Sequence, residues 1–270
     1  MPEGHTLHRL ARLHQRRFGG APVEVSSPQG RFASGAALID GLVLEKAEAW
    51  GKHLVHRYET DLILHIHLGL YGKFTEQSVP LDDPVGAVRL RVVGEQYGTD
   101  LRGPTACEIY TDQQLDALIA RLGPDPIRKD ADPELAWRRI TKSRTPIGTL
   151  LMDQKVLAGV GNVYRAEILF RHEINPMRPG RDLDHAEWDA IWLDLVELMK
   201  IGVRRGKIVT IRPEDDHGDK SYGDRGYVTT RPRSYVYRRA GRPCRVCGTE
   251  ILHSVMQARN LFWCPVCQAT

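Results

Sequence analysis

The chain has 270 residues, 41% of them hydrophobic, and a formal net charge of +4 at neutral pH; that length supports a sizeable core and fits two packed domains better than one. No apolar run approaches the roughly 18 residues of a membrane span, and the start lacks the basic, apolar, small-residue order of a secretory signal, so a soluble intracellular protein is expected. Positive charge is concentrated: residues 200–245 hold 13 Lys/Arg against 5 Asp/Glu, whereas residues 81–135 hold 6 against 11, an asymmetry that suits a polyanion-binding face.

Leu7, Leu10, Leu13, His14 and Phe18 fall on one side of a helical wheel, with Arg9, Arg12, Arg16 and Arg17 largely on the others, which predicts an amphipathic helix over residues 3–18. Pro2 suits a first helical position and Glu3 the positive end of the dipole. If Met1 is removed, Pro2 gains a free secondary amine that can attack an aldehydic sugar carbon and form an iminium, with Glu3 beside it to supply protons. A plain helix start accounts for the same residues.

From about residue 21 to 112 the pattern becomes short period-two runs, such as residues 62–68 and 88–92, separated by Gly, Pro and Asp turns, which predicts an antiparallel sandwich or barrel. Gly123-Pro124-Asp125-Pro126 interrupts that pattern, and helical periodicity follows to about residue 205. Helices are expected over Gly148–Leu157, Asn162–His172 and Asp184–Gly202. The Gly159-Val160-Gly161 link before Asn162 offers helix N–H groups to a phosphate, although it also reads as an ordinary connection. Residues 206–233 are rich in Gly, Asp, Arg and Pro and are expected to form an extended loop. The expected domains are therefore 1–122, 123–205 and 234–270, with 206–233 between the last two.

Cys244-x-x-Cys247 and Cys264-x-x-Cys267, 16 residues apart, have the spacing of one tetrahedral, four-thiolate zinc site, structural because no coordination position stays open. A redox dithiol is the alternative. Between the pairs a hairpin presents Arg259 near its tip, where a guanidinium clamps phosphate or is simply solvated.

Taken in order, Met1-Pro2-Glu3-Gly4, the stretch from Asp153 to Asn162 and the four-cysteine finger with Arg259 give a chain that resembles the formamidopyrimidine-DNA glycosylase/endonuclease VIII family along nearly its whole length. The resemblance implies an α+β multidomain protein. It would have an N-terminal β-sandwich with a leading helix, a helix-two-turns-helix domain and a C-terminal zinc-finger β-hairpin, with damaged DNA held between the lobes. It further implies Pro2 as nucleophile, Glu3 as general acid and Lys52 as the lysine touching phosphate beside the lesion. Asn162 and Arg259 would be further phosphate clamps. Leu70 and Tyr71 in His67-Leu68-Gly69-Leu70-Tyr71-Gly72 resemble the endonuclease VIII wedge that fills the gap left by the extruded nucleotide; taken alone they read as a strand end.

The implied activity is base excision followed by β,δ-elimination, with one structural Zn2+, damaged DNA as partner, a monomer, and a cytoplasmic or nucleoid-associated location. Thr6 stands where many relatives carry a second acidic residue, and Gly69 where a polar wedge residue is common. Leu70-Tyr71 and the divergent 206–233 segment favour oxidised pyrimidines over oxidised purines or formamidopyrimidines. A lesion-binding sensor with reduced catalysis and a zinc-ribbon protein-interaction module are the competing readings.

Overall fold

The computed structural model describes residues 2–215, 219–223, 226–230 and 234–269, with backbone alone for the two short segments. The chain divides into two compact units, Met1–Leu122 and Gly123–Thr270.

The first unit runs α1 (Gly4–Phe18), β1 (Glu24–Ser26), α2 (Ala33–Ile39), β2 (Leu44–Trp50), β3 (His53–Tyr58), β4 (Ile63–His67), β5 (Lys73–Ser78), β6 (Val88–Val93), β7 (Tyr97–Arg102), β8 (Ala106–Tyr110) and α3 (Asp112–Arg121). Its strands pair antiparallel in two four-stranded sheets, β1-β6-β7-β5 and β2-β3-β4-β8. Alternation along β6 sends Val88, Leu90 and Val92 inward. Leu90 and Val92 share one core with Leu54, Leu64 and Ile66 of the other sheet and with Leu7, Ala11 and Phe18 of α1. Each fully buried Val, Leu, Ile or Phe among them contributes about 1.5–3 kcal/mol, so the two sheets close as a sandwich with α1 sealing it.

Two helices form that the period-two pattern does not announce, α2 within its span and α3 just beyond it. α3 starts with a capping box in which the Thr111 hydroxyl accepts from the Gln114 amide and the Gln114 side chain accepts from the Thr111 amide. It lays Leu115 and Leu118 over Val55 and Ile63 on the second sheet. α2 buries only Gly35, Ala36 and Ile39, too short a stripe to show helical periodicity.

The second unit holds, among the described residues, α4 (Pro133–Ile140), α5 (Ile147–Leu150), α6 (Asn162–Arg171), α7 (His185–Arg205) and two hairpins, β9 (Asp219–Gly223) with β10 (Gly226–Thr230), and β11 (Leu252–Met256) with β12 (Arg259–Trp263). α7 opens with an Asp184/Glu187 capping box and stops at Gly206 in the left-handed region, φ 68°, as caps of this kind dictate. Its Trp188, Ile191, Leu195 and Met199 pack with Tyr164, Ile168 and Leu169 of α6 around Leu151, Leu157 and Val160.

The helix expected over Gly148–Leu157 is only the single turn α5. Beyond it, side chains take the backbone donors and acceptors. Asp153 Oδ1 accepts from the Lys155 amide at 2.9 Å, and the Gln154 amide spans the carbonyls of Met152 and Val160 and the N–H of Gly159, which favours a folded turn over helix. The extended loop expected over 206–233 is also corrected in part, because β9 and β10 pair within it; Tyr222, Tyr227 and Val228 are strand formers. Residues 216–218, 224–225 and 231–233 of that expectation lie outside the described residues.

Candidate active site and nucleic-acid contacts

The first unit gathers its candidate residues at one edge. Gly19 bridges Leu44, and Gln15 reaches the Ala47 amide and the Glu45 carbonyl, so α1 runs antiparallel to β2. Twelve further residues back along the helix span about 18 Å, close to the roughly 20 Å that six strand residues cover. The first turn of α1 therefore reaches the β2–β3 turn at Gly51-Lys52. His53 pairs with His67, which brings the end of β4, and the loop of residues 68–72, to the same edge.

Pro2 is half-buried there and Glu3, the helix N-cap, is fully buried. Lys52 is half-buried in a turn made possible by Gly51 at φ 58°. Leu70 is 43% and Tyr71 85% exposed, an unusual outlay of apolar surface for a tight loop. Gly69, at φ 65°, leaves no room for a side chain, since a Cβ would lie 1.9 Å from Thr105 Oγ1.

Histidines line this edge, and sequence reading did not single out most of them. One ring nitrogen of His53 shares a 2.8 Å hydrogen bond with His65, and the His53 and His67 ring centres are 5.0 Å apart. Burial, then the neighbouring imidazoles and the Lys52 charge, hold His53 down to about 3. Burial and Lys52 also lower His67. Neutral imidazoles therefore flank Lys52 without adding charge. Their signal in the sequence is the period-two spacing of His65 and His67 in a strand, placing both on one face.

In the second unit, Asn162 opens α6. Its Nδ2 donates 2.8 Å to the carbonyl of Asn260, and its Oδ1 accepts from the buried guanidinium of Arg165, which also donates 3.3 Å to that Asn260 carbonyl. Arg259 therefore sits beside Asn162, flanking a two-residue turn in which Gln257 and Ala258 both have positive φ. The geometry leaves the Arg259 side chain half-exposed. Neither Arg165 nor its role stood out in the sequence, because a cation on a periodic helix reads as a solvated one.

Glu167, one turn further on and fully buried, accepts from the Thr210 hydroxyl and from the amides of Tyr235, Val236 and Tyr237. This carboxylate pins both ends of the 211–234 excursion to α6. Part of the basic excess in this half is likewise structural. Arg212, Arg239 and Arg245 donate to main-chain carbonyls, whereas Arg204, Arg205, Lys207 and Arg242 are exposed.

The sulfurs of Cys244, Cys247, Cys264 and Cys267 lie within 4.8 Å of one another, with 3.9 Å between Cys244 and Cys267 and 3.4 Å between Cys247 and Cys264. A tetrahedral zinc with bonds of about 2.3 Å separates its thiolates by about 3.8 Å, and a disulfide needs about 2.05 Å. The donor set fits one zinc and no other ligand position, so the ion is structural. Amides of Val246 and Cys267 point at sulfurs at 3.4 Å, as thiolate knuckles require, and Ile251, Phe262 and Tyr235 form the small core behind them.

Three family models match the chain in order: the Formamidopyrimidine-DNA glycosylase N-terminal domain over residues 1–107, the Formamidopyrimidine-DNA glycosylase H2TH domain over 122–213, and the zinc finger found in FPG and IleRS over 241–270. Endonuclease 8 1 of Mycobacterium tuberculosis is 63% identical over 99% of this chain and 100% of its own length. A Formamidopyrimidine-DNA glycosylase of Parasynechococcus marenigrum is 31% identical over 99% of both. The Lactococcus lactis Fpg solved with abasic-site DNA superposes with a TM-score of 0.79 at 20% identity, covering 99% of this chain and 100% of that one, a likeness of fold.

Proposed function

Because the chain belongs to the formamidopyrimidine-DNA glycosylase/endonuclease VIII family, we propose that it is a bifunctional base-excision-repair enzyme that removes oxidised pyrimidines and then cuts the abasic strand. The observations that support this reading are that α1 runs antiparallel to β2 and that the end of β4 pairs with the start of β3, which direct Pro2, Glu3, Lys52 and the exposed Leu70-Tyr71 pair towards one edge of the first unit.

Once Met1 is removed, the Pro2 nitrogen attacks C1′ of the damaged nucleotide and the base departs. Glu3, buried beside it, protonates the sugar oxygen as the ring opens, and the resulting iminium withdraws electrons so that β-elimination and then δ-elimination release both phosphates. Lys52 neutralises the phosphate next to the lesion. Asn162 and Arg259 hold backbone phosphates from the second unit, and Leu70 and Tyr71 occupy the space of the extruded nucleotide. Zinc folds the hairpin that carries Arg259 and takes no part in the chemistry. The enzyme acts as a monomer.

The test is a panel of duplexes carrying single oxidised pyrimidines, oxidised purines or an abasic site, with end-group analysis of the products. Pyrimidine lesions cut to leave phosphate on both ends support the reading. Preference for purine lesions overturns the specificity, and tight binding without cleavage overturns the enzyme in favour of a lesion sensor.

A further inference from the structure

Residues 135–152 carry Arg138, Arg139, Lys142 and Arg144 and no carboxylate. Ala136 and Ile140 turn the inner side of α4 into the core, and at about 100° per residue the two arginines stand away from it. Thr141 keeps right-handed dihedrals, φ −64° and ψ −16°, so Lys142 continues their row. All four basic side chains are exposed. Among the described residues none of them has a hydrogen-bond or ion-pair partner. Other arginines of the same unit are neutralised within the fold: Arg171 lies 2.6 Å from Asp194, Arg178 2.6 Å from Glu187 and Arg128 2.7 Å from Asp130. Like charges three and four residues apart repel, and the helix dipole favours only the cations of the last turn, Arg138 and Arg139. Folding alone gives no account of the whole row.

We propose that this row is an outer surface for the backbone of duplex DNA, which meets undamaged nucleotides beyond those held by Asn162 and Arg259. The proposal rests on the reading of the chain as a DNA enzyme and adds to it a contact that is indifferent to the lesion. The turn after α4 is fixed in place, since the Arg181 amide donates 2.9 Å to the Ser143 carbonyl and the Gly180 amide 3.0 Å to that of Thr145. At Gly148 the same segment meets the clamp. Its carbonyl accepts at 3.4 Å from Arg165, which also holds Asn162. A Cβ on Gly148 would lie 3.2 Å from Sδ of Met256, the residue paired with Arg259. Four residues of chain reach at most about 14 Å, so Arg144 is no farther from Gly148 than about four duplex steps of roughly 3.4 Å. The other three cations follow within two turns of chain.

Duplex DNA suits the row because its charge is dense and evenly spaced, and cations carried by a helix and the turn after it can meet neighbouring phosphates without touching a base. Such contacts set position and carry no sequence information. Exposed, unpaired cations also attract a polyanion before it docks. Binding through this surface therefore grows with the length of duplex on offer and weakens steeply with salt, whether or not the duplex is damaged.

Fluorescence anisotropy over a range of salt, on undamaged and abasic duplexes of roughly 10 and roughly 30 base pairs, tests this with the full chain. The variant combines Arg138→Ala, Arg139→Ala, Lys142→Ala and Arg144→Ala. Each phosphate contact contributes about 0.9 to the slope of log affinity against log salt. On the long duplexes, damaged or not, the variant should therefore lose about 2 or more in slope and at least about 10-fold in affinity at low salt. Its cutting of the short abasic duplex should stay within about twofold of the parent, because the site and clamp are untouched. A second variant, Arg138→Lys with Arg139→Lys and Arg144→Lys, keeps the charge and should keep the parent's slope. Affinities equal to the parent on long duplexes overturn the proposal, and so does an equal loss on short and long ones. A parent with no salt-dependent affinity for any duplex sinks the enzyme reading itself, whatever the row does.

Discussion

The Nδ2 amide of Asn162 donates 2.8 Å to the main-chain carbonyl of Asn260, the residue that follows Arg259 on the zinc-module hairpin. One hydrogen bond therefore sets the spacing of two side chains proposed to grip the DNA backbone, and Arg165 braces both partners from inside the fold.

Asn162→Asp replaces that donor with a carboxylate oxygen facing the Asn260 carbonyl while keeping the acceptor for Arg165. Loss of a buried hydrogen bond and addition of a negative charge beside phosphate should together weaken abasic-DNA binding by about 10- to 100-fold. Titration by fluorescence anisotropy at two salt concentrations checks this, and the salt slope should fall along with the affinity.

Chelation of zinc should unfold the module of residues 234–269 and leave the first unit folded. Structural four-thiolate sites contribute roughly 10 kcal/mol or more of folding free energy, far beyond what the small core of Ile251, Phe262 and Tyr235 supplies. Cys264→Ser should behave as the chelated protein does. Near-ultraviolet circular dichroism and DNA affinity should fall together in both, and readdition of zinc should restore the chelated parent but not Cys264→Ser.

Acid should destabilise the first unit well before its carboxylates titrate. His14 and His56 share a 3.0 Å hydrogen bond in the core; burial, then His56, holds His14 well down, and burial holds His56 down to about 4. These histidines are neutral when folded and bind protons when unfolded. Stability should therefore be full above about pH 6.5 and decline as pH falls towards 4, by up to about 3 kcal/mol for His56 alone. Thermal melts at pH 7.5 and pH 5 should differ by more than about 5 °C, and His56→Phe should flatten the difference.

Gly69→Gln should be destabilised by about 1–3 kcal/mol, since the backbone there has positive φ and the new Cβ would meet Thr105 Oγ1. Tyr71→Ala, at an exposed tip, should leave the melting temperature within about 2 °C and act only on turnover.

Much of the fold was legible because its signals are local. Alternation marked β4 and β6, helical periodicity from Asp184 marked α7, which runs to Arg205 and not only to the expected Gly202, and two Cys-x-x-Cys pairs announced the zinc. Where local pattern and tertiary context disagree, the reading missed. α3 was hidden although Thr111-Asp112-Gln113-Gln114 is a capping-box sequence, because its two buried leucines make too short a stripe. α5 stopped early because Asp153 and Gln154 divert backbone groups to their own side chains. In the site, the motif residues stand out singly, but their grouping depends on α1 running antiparallel to β2 and on the His53–His67 register, pairings that no local window contains. Arg165 and Glu167 escaped notice for a related reason: a polar residue on an amphipathic helix looks solvated until its burial is seen.

The most direct measurement is peptide mapping, by mass spectrometry, of the protein after borohydride reduction on abasic-site DNA. A sugar remnant on the nitrogen of an amino-terminal Pro2 peptide, absent from Pro2→Thr, is the expected result. A remnant on a lysine, or a mature chain that retains Met1 and still forms the adduct, contradicts the mechanism.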